Sequence, residues 1–399
     1  MKTQIPRRDL LASLAALSVG GGLSVQAAPA KMKNSQLTVT DLQMIQLTGE
    51  SKQRSLYIKL LTDAGIEGLY GPIDEEAAMM MDRFFRKRLI GQDAFASETY
   101  WDTMYKASRH SRGSHYLMGL STVDNALWDL KGKALGLPVY KLLGGSRSQV
   151  PAYASCLGFS SNPDALQAKA KEVKAEGYRH QKWFLRGASN SRRDAETLTT
   201  DAKMVQLLRE AVGDDVDLMF DASRRWDLQY TIAWAQRVEQ YRPLWIEEPL
   251  DSAQIDALAE LSRETSIPVA MGEHFYGRWD AHNYLKEDVI RVVQADPEWC
   301  GGVSELVKMC TLASVYGAHV IPHGHSLHAA LHVVASQPLE VCPLGEYLIN
   351  KMTGNYYYFE KEVPHPINGV FHLSDRPGFG ILLDETKIVN QRQVHWERV

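Results

Sequence analysis

Five short apolar runs in the middle third of the chain each end in a polar residue. The runs occupy residues 218–221, 244–247, 269–273, 292–296 and 319–323. Their last residues are, in chain order, Asp221, Glu247, Glu273, Asp296 and His323. Successive ends lie about 25 residues apart, which is the length of one strand, one helix and two loops. The pattern therefore predicts a repeated βα unit whose parallel strands all end at one rim of a barrel.

Three of these residues, Asp221, Glu247 and Glu273, are acids that such a barrel would bring together at its rim. Carboxylates that share a small site raise one another's pKa values unless a cation compensates their charge. An all-oxygen set of ligands favours a hard divalent cation such as Mg²⁺. The repeat thus predicts a Mg²⁺ site. The alternative is that ordinary acids end the strands and cap the helices that follow.

The part of the chain before the repeat, residues 36–148, follows a different pattern. Partial alternation of apolar residues, which is typical of antiparallel strands, occurs at 37–47, 55–61 and 66–70. Helical spacing of apolar residues occurs at 74–89, 96–108 and 117–135. We therefore predict a small α+β domain in front of the barrel. In the basic stretch 108–115, Arg109 is either a cation for an anionic substrate or a solvated loop charge.

Composition and charge narrow the class of protein. Apolar residues make up 45% of the 399 positions, enough for two domains or for one large barrel with an appendage. The 44 Lys and Arg residues nearly balance the 48 Asp and Glu residues, so neither nucleic acid nor a polybasic membrane surface is indicated as a partner. The four cysteines include no CxxC pair; buried free thiols are expected, and the sequence assigns no disulfide.

The first residues have the pattern of an export signal. A basic start that includes Arg7 and Arg8 precedes an uncharged stretch at 10–30, which ends in small residues. The adjacent arginines resemble a twin-arginine signal. We therefore predict a signal peptide at 1–30, cleaved near residues 27–30, and a periplasmic or otherwise exported protein. A disordered leader or an uncleaved anchor is the alternative, although three glycines interrupt the apolar stretch.

Three motifs in the repeat resemble the mandelate racemase branch of the enolase superfamily. They read WIEEP at 245–249, MGEH at 271–274 and DPEWCGG at 296–302. The resemblance covers nearly all of the chain after residue 30. It implies an α/β fold, namely a (β/α)7β modified TIM barrel with an N-terminal α+β capping domain. The implied boundaries are 36–148 for the capping domain, 149–362 for the barrel and 363–399 for a C-terminal segment that returns to the capping domain.

The same resemblance implies roles for the five residues at the ends of the runs. In that family, acids ending the third, fourth and fifth strands hold one Mg²⁺ per subunit, and they match Asp221, Glu247 and Glu273. An aspartate and a histidine ending the next two strands form a catalytic dyad, and they match Asp296 and His323. In such a dyad the carboxylate fixes the tautomer of the imidazole and raises its basicity.

The second strand departs from the family pattern. Mandelate racemase carries Lys-x-Lys there, with the second lysine as a base, whereas this chain reads Lys182-Trp183-Phe184. An aromatic ring cannot transfer the proton, which favours a one-base reaction and leaves the catalytic role of Lys182 open. Glu346 matches an acid of the eighth strand that family members use as an electrophile or as a hydrogen-bond donor to the substrate carboxylate. That role requires a raised pKa.

Other polar residues near the predicted rim have alternative interpretations. Glu248 follows Glu247, and alternation within a strand sends the two side chains in opposite directions, so Glu247 is the predicted ligand. His274 is either a substrate contact or a packed histidine. His325 lies in the loop after His323 and is a further candidate for substrate binding.

Within the superfamily the chain is most similar to rhamnonate dehydratase and related acid-sugar dehydratases. This resemblance implies a Mg²⁺-dependent hydro-lyase that removes the proton α to the carboxylate of a sugar acid, such as rhamnonate, and eliminates the 3-hydroxyl. The product is a 2-keto-3-deoxy acid. The implied partner is a small-molecule acid sugar, with neither nucleic acid nor, after signal cleavage, a membrane, and a homo-oligomer is expected.

Two alternatives stay open at this point. One is a racemase, epimerase or cycloisomerase of a related acid, which needs a second base opposite His323, and Lys182 is the only visible candidate. The other is an exported sugar-acid binding protein without catalytic activity. Retention of the three acids and of the dyad argues against the second alternative.

Overall fold

The structure, a computed structural model, describes residues 36–50, 52–185 and 194–396. The predicted signal peptide lies outside the described residues. The strands are β1 (Val39–Thr48), β2 (Arg54–Thr62), β3 (Glu67–Ile73), β4 (Gln149–Cys156), β5 (His180–Phe184), β6 (Asp217–Asp221), β7 (Trp245–Glu247), β8 (Val269–Met271), β9 (Val292–Val293), β10 (His319–Val320), β11 (Gly345–Leu348), β12 (Val370–His372) and β13 (Asn390–Gln393).

Helices alternate with the strands of the central part and cluster after β3 in the first part. They are α1 (Glu75–Met80), α2 (Arg86–Leu89), α3 (Ser97–Ala107), α4 (Ser114–Leu135), α5 (Val139–Leu142), α6 (Pro163–Ala175), α7 (Ala195–Val212), α8 (Leu228–Val238), α9 (Ile255–Glu264), α10 (Arg278–Lys286), α11 (Val303–Val315), α12 (Leu327–Ser336) and α13 (Ile349–Thr353). A π-helical turn, Met81–Phe85, joins α1 to α2, and short 3₁₀ turns lie at Glu239–Tyr241 and Glu385–Lys387. In the described part of the chain, no helix is both long and apolar enough to cross a membrane.

An antiparallel sheet forms the first layer of the molecule. Its strand order is β13-β1-β2-β3, so a strand from near the C-terminus of the chain joins the sheet formed by the first three strands. Strand β13 pairs with β1 in an antiparallel register that sets Ile45 opposite Gln393. Residues of β2 such as Ile58 and Leu60 are fully buried, because α4 packs across β2 and β3 and removes their apolar surface from water.

Eight parallel strands form the barrel, in the order β10-β9-β8-β7-β6-β5-β4-β11, and β12 adds to β4 in the antiparallel sense. A hydrogen bond of 2.8 Å from Val320 N to Val341 O links the last strand of this path to the segment before β11. One layer of inward side chains fills the barrel: Tyr153, Met219, Trp245, Ala270, Val292, Ile321 and Leu344. Because side chains alternate along a strand, the residues two positions later also point inward, one layer closer to the rim. Asp221 and Glu247 occupy such positions.

Helix α4 fastens the N-terminal layer to the barrel through buried acids. Asp124 accepts hydrogen bonds from the backbone N–H and the hydroxyl of Ser304, at 2.9 and 2.7 Å, in the first turn of α11. Asp129 accepts from the backbone N–H groups of Leu69 and Phe379, at 2.7 and 2.9 Å. These bonds satisfy backbone donors that would otherwise be buried without partners. The N-terminal layer is therefore fixed over the barrel end where the predicted site lies.

The four cysteines are buried and free, as expected from the sequence. Cys310 on α11 and Cys342 before β11 place their sulfur atoms 3.6 Å apart, the separation of a thiol–thiol contact rather than of a covalent bond.

Candidate active site

The five polar residues predicted to meet at one rim come from five neighbouring strands. Asp221 and Glu247 are the last residues of β6 and β7. Glu273, Asp296 and His323 lie two or three residues beyond the ends of β8, β9 and β10. These five strands are consecutive in the sheet, so the chain brings the residues to one end of the barrel. The prediction of a shared rim is confirmed by this order.

Glu247 and Glu273 both act electrostatically on Asp221. Burial raises the pKa of Asp221, and the negative charge of Glu247 raises it further, while Lys182 lowers it and Glu273 raises it. The net pKa lies well above the usual range for an aspartate. An added cation would relieve this repulsion, so the donor set fits a hard divalent ion.

Lys182 lies fully inside the barrel and is shared by two carboxylates. Its Nζ is 2.5 Å from Oε1 of Glu247 and 2.8 Å from Oε1 of Glu346. Burial alone lowers the pKa of this ammonium, but the charges of Glu247 and Glu346 raise it well above its usual value. The ammonium of Lys182 is therefore held between two acids, an arrangement that favours its protonated form.

Glu247 is also fixed from its other side. Its Oε2 accepts hydrogen bonds from the side-chain amide of Gln294 at 2.6 Å and from the indole N–H of Trp245 at 3.3 Å. Gln294 was not singled out by the sequence pattern, although it precedes Asp296 by two residues and alternation along the strand predicts an inward side chain for it. These donors hold the carboxylate in one orientation at the rim.

Glu248 does not follow the alternation expected from the sequence. It comes directly after β7, and its backbone has a φ of 41°, so the chain leaves the strand conformation there. Its carboxylate lies beside Glu273 and His274, and one ligand atom from each of the three residues falls within 4.8 Å of the others. Arg224 pairs with the same carboxylate at 3.2 Å. The alternation argument fails here because the strand has already ended.

Two sets of residues are candidates to hold a metal ion and both contain Glu273, but among the described residues it is the second set whose ligand atoms lie within 4.8 Å of one another. The first is the all-oxygen set predicted from the sequence, completed by Asp221 and Glu247. The second includes a histidine, since His274 Nδ1 lies 3.1 Å from Oε1 of Glu273. Oxygen ligands suit Mg²⁺, whereas imidazole suits transition metals better. The all-oxygen set would therefore favour Mg²⁺, and the set that contains His274 would favour a transition metal.

The dyad predicted from the sequence is formed. His323 Nδ1 lies 2.9 Å from Oδ2 of Asp296, which is completely buried. The other oxygen of Asp296 accepts the backbone N–H of Glu298 at 2.7 Å. This leaves Nε2 of His323 facing the site, 3.5 Å from Oε2 of Glu273.

The environment of His323 makes it a strong base. Burial lowers the pKa of the imidazole, but the hydrogen bond to Asp296 and the charges of Glu273 and Glu346 raise it to about 9. A carboxylate on Nδ1 also fixes the tautomer and leaves Nε2 as the atom that exchanges the proton.

Glu346 differs from its expected role. It accepts the backbone N–H of Gly324 at 2.8 Å and pairs with Lys182. Burial raises the pKa of Glu346, yet the charges of Lys182 and His323 lower it below the usual value. This direction is opposite to the raised pKa that a hydrogen-bond donor to the substrate carboxylate requires, because the Lys182 ammonium contacts this acid.

The predicted substrate contacts lie at different depths. His274 packs against Trp299, with ring centroids 5.5 Å apart, and His325 packs against the same indole at 4.9 Å. Arg109 is exposed between α3 and α4. That segment lies against Tyr276, three residues after Glu273, since a Cβ added to Gly113 would lie 3.5 Å from Tyr276 Cβ. The histidines thus line the rim, whereas Arg109 lies on a flanking loop.

Matches to known families agree with this geometry. Residues 31–144 match the N-terminal domain of mandelate racemase / muconate lactonizing enzyme, and residues 165–387 match the enolase C-terminal domain-like family. The chain belongs to the mandelate racemase / muconate lactonizing enzyme family of the enolase superfamily. Membership in this family confirms the resemblance read from the WIEEP, MGEH and DPEWCGG motifs and the expected fold.

Relatives with assigned activities are similar over most of their length. Arabinonate dehydratase from Saccharolobus solfataricus is 30% identical over 79% of this chain and 83% of that protein. D-galactonate dehydratase from Xanthomonas oryzae pv. oryzae is 30% identical over 88% of this chain and 94% of that protein. The solved structure of 3,6-anhydro-D-galactonate cycloisomerase from Zobellia galactanivorans superposes with a TM-score of 0.76 at 26% identity, covering 88% of this chain and all of that one.

Proposed function

We propose that this protein is a hydro-lyase that dehydrates a sugar acid to a 2-keto-3-deoxy acid. Two acid-sugar dehydratases are among its relatives, at 30% identity and over most of their length. The observation that carries the proposal is the pairing of a free, basic Nε2 on His323 with a Lys182 that two carboxylates immobilise. One base on one face of the substrate suits elimination better than inversion, which needs two.

His323 would act at two steps. Its Nε2 takes the proton from the carbon α to the substrate carboxylate, while Asp296 stabilises the imidazolium that forms. The same nitrogen then donates that proton to the departing 3-hydroxyl. The C–H bond at C2 and the C–O bond at C3 break, a C=C bond forms between them, and the enol tautomerises to the keto acid with release of water.

We propose that Asp221, Glu247 and Glu273 hold one Mg²⁺ per subunit. When bound, this ion would supply positive charge to the substrate carboxylate, which makes the α-proton more acidic. The chain prepares the position itself, because Gln294 and Trp245 orient Glu247 and the backbone N–H of Ser223 donates to Oδ1 of Asp221 at 2.8 Å.

A second function, isomerisation of a related acid, is favoured by one observation. The cycloisomerase of Zobellia galactanivorans has the same fold over its whole length. Cycloisomerisation, racemisation and epimerisation all return a proton to carbon. Inversion of the α-carbon requires that the proton return on the face opposite to the one from which it was removed. Lys182, the candidate for that second base from the sequence, donates to Glu247 and forms an ion pair with Glu346 instead. Dehydration therefore remains the better supported function.

The substrate that we propose is an aldonate, with rhamnonate among the candidates. We propose that its stereochemistry is selected by side chains of the capping layer and of the rim, with His274 and His325 as candidate contacts to its hydroxyl groups. The decisive test is turnover with Mg²⁺ across a library of stereoisomeric aldonates, scored by formation of a 2-keto-3-deoxy acid. Dehydration of one or a few members supports the proposal. Tight binding of a sugar acid with no turnover of any member supports the binding-protein alternative.

We further propose that the enzyme is exported through a twin-arginine signal and works as a homo-oligomer. The support for export is the pattern of residues 1–30, in which Arg7 and Arg8 precede a long uncharged stretch. Light scattering of the purified protein measures the oligomeric state.

A further inference from the structure

Asp74 occupies the first capping position of helix α1 but does not cap it. Aspartate at this position normally accepts a hydrogen bond from a backbone N–H of the first turn. Here the side chain makes no such bond. Its carboxylate is directed away from its own helix, so another interaction determines its orientation.

The two oxygens of Asp74 contact two rings at the barrel rim. Oδ1 lies 3.2 Å from Nε2 of His325, and Oδ2 accepts the indole N–H of Trp299 at 3.4 Å. Burial raises the pKa of Asp74, but the hydrogen bonds from His325 and Trp299 lower it below its usual value. A single ionised carboxylate of the N-terminal layer therefore binds two aromatic side chains of the barrel.

These two rings flank the catalytic base. The indole of Trp299 lies 5.2 Å from the ring of His323 and 4.9 Å from the ring of His325, centroid to centroid. The two imidazoles are 6.3 Å apart and inclined by 21°. The position of the Trp299 indole thus limits how the imidazole of His323 can tilt.

Lys351 on α13 fixes the second ring from the opposite side. Its Nζ lies 2.7 Å from Nδ1 of His325 and donates to the backbone oxygen of the same residue at 2.7 Å. An ammonium is only a donor, so Nδ1 of His325 must accept and Nε2 must carry the hydrogen. That hydrogen points to Asp74. The chain of bonds runs from Lys351 through His325 to Asp74 and ends at Trp299.

We propose that Asp74 is a positioning residue for the reaction: by holding Trp299 and His325, it fixes the orientation of His323 when the N-terminal layer covers the barrel. Asp74 touches neither the base nor the acids, and it acts through the two rings. The inference rests on the proposed function, since it assigns Asp74 to the step that His323 performs.

The kinetic test compares Asp74→Ala with Glu75→Ala. Glu75 is the neighbouring acid, exposed on the first turn of α1, and it serves as the matched control. Small misplacements of a catalytic group are costly, so Asp74→Ala should lower kcat about 10- to 100-fold. KM should change less than kcat, because Asp74 itself is not a contact to the substrate. The control should keep the wild-type kcat, and Asp74→Asn, which keeps one acceptor oxygen, should recover part of the loss.

A second measurement separates positioning from folding and does not depend on activity. Protein labelled with ¹⁵N-histidine should give His325 as the neutral tautomer with hydrogen on Nε2. In Asp74→Ala the signals of both His323 and His325 should shift, while the melting temperature stays close to that of Glu75→Ala. Lys351→Met should move the His325 signal in its own right, because Nδ1 loses its donor.

Two results would overturn the inference. A kcat equal to that of Glu75→Ala overturns the inference, as does a loss of activity accompanied by unchanged histidine signals. If the wild-type enzyme dehydrates no sugar acid, the proposed function fails, and the histidine signals still decide whether Asp74 orients the two rings.

Discussion

The ammonium of Lys182 lies 2.5 Å from Oε1 of Glu247, one of the three acids predicted to hold the metal. The same ammonium reaches Glu346, 2.8 Å away. All three groups are buried in the barrel. Lys182 thus neutralises part of the negative charge of the site, whereas an uncharged second base would not. Both the stability of the folded protein and its reaction should depend on this ion pair.

Removing Lys182 should destabilise the folded protein when no metal is present. Lys182→Met keeps most of the side-chain volume but leaves Glu247 and Glu346 buried without their cation. Breaking one partner of a buried pair typically costs about 3–5 kcal/mol of the free energy of unfolding. Added Mg²⁺ should restore part of that loss, and denaturant unfolding with and without the ion measures both effects.

The control for this experiment is Lys106→Met. Lys106 pairs with Asp102 at 2.7 Å, but both side chains are more than half exposed. An exposed pair contributes about 1 kcal/mol or less. A Lys182 variant no less stable than the Lys106 variant would contradict the arrangement described for the barrel interior.

The two candidate metal sets are separated by substituting neighbouring glutamates. Glu247→Gln removes a ligand of the all-oxygen set, so it should lose Mg²⁺ affinity and most activity. Glu248→Gln should be the milder change. Isothermal titration with Mg²⁺ and turnover in the same buffers measure both variants. If Glu248→Gln abolishes metal binding while Glu247→Gln retains it, the ion is held by Glu248, Glu273 and His274. Full turnover of EDTA-treated wild type would exclude a metal requirement.

Export gives a prediction that is independent of the active site. Replacing Arg7 and Arg8 together by lysine keeps the charge of the leader but removes the arginine pair, so the protein should stay in the cytoplasm. Lys2→Arg is the matched control and should be exported normally. Cell fractionation measures the outcome, and equal export of both variants would argue against a twin-arginine signal.

Residues 31–399 expressed alone should give soluble, active enzyme.

The strand repeat was predictable because its signal is local. Each apolar run that ends in Asp221, Glu247 or Glu273 is a buried parallel strand, and even spacing places the ends on one rim. The pairing of Asp296 with His323 was implied by the family resemblance and is present at 2.9 Å. These contacts were predictable because consecutive strands of the repeat are also neighbours in the sheet.

The contacts that the sequence did not reveal depend on distances across the fold. Lys182 and Glu346 are far apart along the chain, and only closure of the barrel brings them to 2.8 Å. The place of Glu248 beside Glu273 and His274 was not predicted, because a φ of 41° ends the alternation one residue after the strand. The helix predicted at 74–89 begins at Asp74, but the contacts of this residue with Trp299 and His325 were not predicted, since those two residues belong to another layer.

The central claim is that His323 alone moves the proton. His323→Asn should abolish both exchange of the α-hydrogen with solvent deuterium and formation of the 2-keto-3-deoxy acid, because one nitrogen serves both steps. Lys182→Ala should weaken turnover without making exchange specific to one epimer, since its ammonium is held by Glu247 and Glu346.

The measurement that tests this claim most directly is deuterium incorporation at C2, followed for both variants on both C2 epimers of an active sugar acid. The one-base account predicts no incorporation from either epimer with His323→Asn. Incorporation that survives in His323→Asn and disappears in Lys182→Ala would contradict it.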